Sequence, residues 1–216
     1  MKNNFYFKSL VLVVLVSCLA FGFDVNAGTK KSNPKASRGA KKEAKKFKKE
    51  GWYVAPGSLP MELLLQKSWD RQLEVDDKGL QVFFYADGNQ VGQNTTTAEM
   101  AALEFAKLSL AGQIQTNVSS LVNANLANSQ LTREEAASVN SIVQSAKNII
   151  ATELGFIDPA FKMYRKVGSE NIEVQVRVFY DRRQSIQIAK KIVQKELKEK
   201  LQVNEQQLDK LMGLDK

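Results

Sequence analysis

From Ala98 to Ala127 the chain runs without a proline, and its apolar side chains recur three or four residues apart. Leu103, Ala106, Leu110, Ile114, Val118 and Leu121 fall on one stripe of a single long helix, with Thr97 as its expected cap. Ala98, Ala101, Ala102, Ala106 and Ala111 add small residues that let a sheet or another helix approach closely. A chain built around such an element needs a partner layer to cover the stripe.

The flanking segments supply one. Leu80–Ala86 is β-branched and aromatic and reads as a strand, ended by an Asp87-Gly88 turn signal. Phe161–Val167 and Asn171–Tyr180 read as two more strands joined at Gly168-Ser169. The last alternates cleanly, with Ile172, Val174, Val176, Val178 and Tyr180 on one face and Glu173, Gln175 and Arg177 on the other. That is the pattern of a half-buried antiparallel strand.

Helices account for the rest. Thr132-Arg133-Glu134-Glu135 is a capping box, followed by a core stripe through Val139, Ile142, Val143, Ile149 and Ile150 as far as Gly155. A helix over Leu59–Leu73 begins near an Ser58 cap, with Pro60 tolerated in its first turn. Another starts near Gln184, and Glu205–Met212 forms a short helical tail. The expected fold is α+β: a small antiparallel sheet against two or more long helices, plus a C-terminal helix.

Ahead of this domain lie two segments of different character. Lys2 and Lys8, the uncharged run Ser9–Phe23 and the small residues of Val25-Asn26-Ala27 form the three regions of a secretory signal peptide. The apolar run falls short of the roughly 20 residues of a permanent membrane helix. Leu15-Val16-Ser17-Cys18 resembles a lipobox, but Cys18 is followed by more apolar residues instead of a soluble tether. Cleavage after Ala27 is the preferred reading, with lipid anchoring at Cys18 as the rival. The expected location is therefore exported, periplasmic or at the cell surface.

Residues 28–50 hold ten Lys/Arg and two Glu, whereas residues 51–216 hold nineteen and twenty, so the net +8 is local. With almost no large apolar residue besides Phe47, this stretch reads as a basic flexible linker whose second half forms a frayed helix. The division is then 1–27 signal peptide, 28–50 linker and 51–216 a single domain. A basic linker can meet an anionic envelope surface or an envelope protein, and nucleic acid is not expected of an exported chain. Gly51-Trp52-Tyr53-Val54 should dock on the domain.

The chemistry is narrow. The chain has no histidine, and its one cysteine is Cys18, so the usual imidazole base, thiol nucleophile and His/Cys metal centres have no residues after Ala27. No phosphate-binding glycine loop occurs. Glu99, Glu104, Glu153 and Asp158 read as solvated carboxylates rather than a catalytic pair, Asp76-Asp77 as a turn rather than a calcium loop, and Arg182-Arg183 as a solvated edge. Trp52, Tyr53 and Trp69 offer an aromatic platform for sugars, with core packing the stronger account. The sequons at Asn94 and Asn117 carry little weight. No catalytic, cofactor or metal residue is assigned, and the chain is expected not to be an enzyme.

One resemblance is specific to the long helix. The run Ala98–Ser120, with Leu110-Ala111, Ile114, Thr116 and Val118 in register and Ser119-Ser120 following, resembles the "LAxxIxTxVxS" pattern of the twenty-kilodalton bacterial envelope lipoproteins. Their domain (an LPP-twenty-like domain) is similar to one in a flagellar assembly protein. The likeness covers roughly Leu80–Asp181, including the strand Ile172–Tyr180, and departs at the lipidated cysteine. It implies an exported, non-enzymatic interaction or scaffold domain. A binding protein for envelope glycans or lipids, using a cleft between helices and sheet, is the alternative.

Overall fold

The computed structural model describes residues 33–127, 131–201 and 205–213. The expected signal peptide, with cleavage after Ala27 or lipidation of Cys18, falls outside the described residues. The elements follow in the order α1 (Pro34–Lys49), α2 (Met61–Gln72), β1 (Phe83–Gly92), α3 (Thr95–Leu126), α4 (Arg133–Ser145), α5 (Lys147–Glu153), β2 (Pro159–Val167), β3 (Asn171–Asp181), α6 (Arg182–Leu201) and α7 (Glu205–Met212). The strands form one antiparallel sheet in the order β1–β3–β2. This is the expected α+β class, with a long helix against a small sheet and a helix at the C-terminal end.

The α3–sheet contact is close because both sides are small. Ala98, Ala102 and Ala106 are buried beneath Ala86, Val174, Val176 and Val178. A Cβ built on Gly88 would lie 1.9 Å from the carbonyl oxygen of Ala102, so β1 reaches this depth only with glycine there. Helices α4 to α7 pack on α3, contributing Val139, Val143, Ile150, Val193 and Leu211 to the same core. Gly155 and Gly168 take positive φ where α5 ends and where β2 turns into β3.

Several boundaries differ from expectation. Asp87-Gly88 is not a turn: β1 runs straight through it, pairing Asp87 with Arg177 and Gly88 with Val176. The close approach of α3 and the cross-strand charge pair outweigh the local turn preference. Asn94, not Thr97, caps α3 by accepting from the Thr97 amide, and Pro60 replaces Ser58 at the start of α2. The expected second helix is two, α4 and α5, meeting at Ala146, whose amide turns back to Val143 in a tightened last turn.

The largest departures concern the sheet's second face and the basic segment. The face carrying Gln175 and Arg177 is covered rather than open. Phe161 and Met163 of β2 pack there against Ala40, Ala44, Phe47, Met61 and Leu65. Residues 34–49 are therefore not a flexible linker: they form α1, folded against α2. The thermodynamic objection to ordering this segment fails because its apolar content, small as it is, lies on one stripe. Ala36, Ala40, Ala44 and Phe47 recur at helical spacing and all are buried. Trp52 docks as expected, buried edge-on against Phe47, and Tyr53 adds a bridge to Tyr164 on the outer edge of β2.

Candidate functional site

The most densely charged surface of the domain is the outer face of α1. Asn33 caps the helix by accepting from the Lys35 amide, and Pro34 occupies its first turn, where its missing N–H is no loss. The helix runs antiparallel to α2. Gly39 lies against the indole of Trp69, Glu43 accepts from Trp69 Nε1 at 2.6 Å, and Lys48 pairs with Glu62. A Cβ on Gly39 would come within 2.9 Å of the indole ring, so the crossing requires glycine. With the apolar stripe turned inward, the cations point out.

Between Pro34 and Lys49 there are eight Lys/Arg and one glutamate. Among the described residues only Lys46 and Lys48 of these eight enter an ion pair, with Glu50 and Glu62. Lys41, Lys45, Lys48 and Lys49 line a shallow depression of about 580 Å³ that also contains Glu62. The Lys48 hydrogen bond, with one from Glu62's own backbone amide, holds the Glu62 carboxyl below its ordinary value. Like charges at i,i+4, as in Arg38–Lys42, Lys41–Lys45, Lys42–Lys46 and Lys45–Lys49, each oppose the helix by roughly 0.2–0.5 kcal/mol. An anionic partner would relieve that repulsion.

Beneath α1 lies a buried charge network that fixes its position. Arg177 of β3 donates to Asp87 of β1 through Nε and Nη2, at 2.6 and 2.9 Å. Its other contacts are Ser68 of α2 at 3.2 Å and Glu43 of α1 at 3.4 Å. The guanidinium also stacks 5.0 Å from the centre of the Phe161 ring. Burial works against the Arg177 charge, but the Asp87 hydrogen bond and the carboxylates of Asp87 and Glu43 more than offset it. One side chain thus joins α1, α2, β1 and β3.

A second cluster lies on the α3 side of the sheet. Glu99 accepts from Lys162 Nζ at 2.9 Å and from the Tyr164 hydroxyl at 2.8 Å. Burial pushes the Glu99 carboxyl up, and the two hydrogen bonds reverse this and leave it below its ordinary value. Burial and the Glu99 carboxylate push the Tyr164 phenol well up. A carboxylate held ionised by a lysine is poorly placed to act as a general acid. Glu104 and Glu153 are exposed on α3 and α5, and Asp158 lines a groove elsewhere.

The remaining sequence candidates are distributed. Asp76 accepts from the amides of Lys78 and Leu80, which is the turn expected of it, and pairs with Arg183. Arg182 stacks over Phe84. Trp52 is in the core and Trp69 is sealed against α1, so Trp52, Tyr53 and Trp69 form no open platform. The groove of about 670 Å³ between α2 and the start of β2 is lined by Lys67, Arg71, Asp158 and Tyr180, with Phe156 exposed at its rim. Among the described residues no cluster of three or more His, Cys, Asp or Glu side chains is arranged to hold a metal, and no helix is long and apolar enough to cross a membrane.

Sequence reasoning saw only a frayed helix in the second half of this segment, and missed both the full, docked α1 and the Arg177 network. The signals for α1 were present: Asn33-Pro34 as a helix start, and three alanines and a phenylalanine at helical spacing within the lysines. For Arg177 there was none, since its partner Asp87 is 90 positions away.

The molecule is thus defined as an α+β domain with the sheet held between a helical core and a basic helical hairpin. No protein-family model matches the chain, and neither a curated protein nor a solved structure does.

Proposed function

We propose that this chain is an exported, non-enzymatic interaction module of a bacterial cell envelope, with the outer face of α1 as its contact surface. The observation that carries the reading is the uncompensated charge of a docked helix. A disordered lysine tract is readily explained as a solvated spacer. A helix that keeps its alanines buried and holds like charges one turn apart lowers its own stability, and a partner of opposite charge would relieve that cost. The apolar run at residues 9–23 supports export, and the likeness of the α3 run to the envelope-lipoprotein pattern rests on those residues alone.

The test is sedimentation with envelopes isolated from producing cells, comparing the unaltered protein with K41E/K45E/K49E. Salt-sensitive association lost in the variant supports the reading, and equal behaviour of the two contradicts it. The intact mass of the recovered protein tests export: a chain starting at Gly28, or at an acylated Cys18, supports it, and an uncut chain in the cytoplasm opposes it.

A second reading, a binding protein for envelope glycans or lipids, rests on the groove beside Phe156. Its rim phenylalanine is the most exposed large apolar side chain among the described residues. Loss of glycan or lipid binding in F156A with retained folding would favour it.

A further inference from the structure

Deepening the reading of α1 as a contact surface, and resting on it, we infer that this surface docks on the headgroup plane of an anionic lipid bilayer and inserts Leu59 and Leu63. Three observations converge. The outer cations of α1 are lysines apart from Arg38. Lysine acts as a compact, non-directional charge and suits mobile headgroups, where the planar fork of arginine would favour fixed bidentate sites.

The second observation is apolar. Leu59 and Leu63, at the entrance to α2, are 42% and 47% exposed. Along the chain they stand on either side of Glu62, which lies within the lysine depression and pairs with Lys48. A polyanion in solution has no use for two exposed leucines placed three residues before and one residue after the glutamate among its binding charges. A bilayer does, because the leucines can enter the boundary between headgroups and acyl chains while the lysines stay in the headgroup layer.

Third, α1 cannot enter the bilayer by itself. The apolar face that an interfacial helix would bury in lipid is already closed by Ala36, Ala40, Ala44 and Phe47 against the domain. Its contribution is therefore charge alone, and the apolar contact must come from the neighbouring residues. Two weak signals acting together suit reversible membrane binding.

The experiment is flotation of the full chain with phosphatidylcholine vesicles made with and without phosphatidylglycerol, at about 0.1 M salt. The pure phosphatidylcholine arm reports any partition through the apolar residues 9–23, which no variant alters. Binding to long-chain polyphosphate is measured in parallel, and unfolding curves confirm that each variant is folded. The expected result is phosphatidylglycerol-dependent flotation that K41E/K45E/K49E lowers about tenfold or more. L59S/L63S should lower it several-fold and leave polyphosphate binding unchanged. Polyphosphate binding without phosphatidylglycerol dependence would overturn the bilayer assignment and leave the contact-surface reading standing. Unchanged flotation of L59S/L63S would overturn the leucine contact, and with it the choice of a bilayer over any polyanion. Binding to neither probe would overturn both.

Discussion

Arg177 and Asp87 stand directly opposite one another on β3 and β1, joined by two hydrogen bonds on the sheet face that α1 and α2 cover. The pair explains two features at once. It carries β1 through a dipeptide that would otherwise turn, and it offers Glu43 and Ser68 a fixed group on which the helical hairpin settles. A charge in that position is stable only while its partners remain.

Replacing Arg177 by methionine should therefore be severe. It leaves the Glu43 carboxylate, whose side chain is 19% exposed, without its guanidinium, and the expected loss is about 3 kcal/mol in urea unfolding. Asp87→Asn should be milder, because the Asp87 side chain is 40% exposed and water can replace part of the interaction.

The hairpin crossing makes a prediction from glycine. Gly39→Ala pushes a methyl group into the Trp69 indole and should cost about 1–3 kcal/mol, with a shifted tryptophan emission. Gly112→Ala is the control on α3. Its nearest neighbour is the flexible end of Lys147 at 3.4 Å, and a helix-interior glycine replaced without a clash should gain about 0.5–1 kcal/mol.

Stability should fall at both ends of the pH range through Glu99 and Tyr164. The Glu99 carboxyl is depressed in the folded state, so its stabilisation is present above its ordinary value of 4.5 and is lost as pH falls through the lower folded value. The Tyr164 phenol is raised, so its stabilisation is present below its ordinary value of 10.0 and is lost as pH rises through the folded value. Glu99→Gln should lower stability near neutrality by about 1 kcal/mol and flatten the acid limb, as read by thermal unfolding across pH.

Truncation of the buried ring that anchors α1 gives a further check. Phe47→Ala opens space beside Trp52 and should cost about 3 kcal/mol in chemical unfolding. Lys42→Ala, on the outer side of the same helix, should be neutral or slightly stabilising, since it removes like-charge contacts with Arg38 and Lys46.

What the sequence made legible was what neighbouring residues decide among themselves. The stripe of α3, the Thr132–Glu135 capping box and the alternation of β3 are local patterns, and each appears in the structure. The alanines of α3 foretold a close neighbour, sheet or helix, and in the structure it is the sheet. Alternation was misleading on one point: Gln175 and Arg177 sit on a covered face, because the covering layer comes from α1 and α2. Asp87-Gly88 failed as a turn for the same reason, its fate being set by Ala102 and Arg177 rather than by its neighbours. In α1, lysine content hid four small or aromatic residues whose spacing, not number, decides that the segment folds.

The central claim is that the lysine-rich segment is a docked helix and not a tether. Amide hydrogen exchange over residues 36–49 of the full chain tests it most directly. The account predicts protection at the amides of the buried Ala40, Ala44 and Phe47 approaching that of α2, and loss of that protection in Phe47→Ala. Exchange across the whole segment at the rate of an unstructured peptide, while β3 stays protected, would contradict it and return residues 34–49 to a flexible linker.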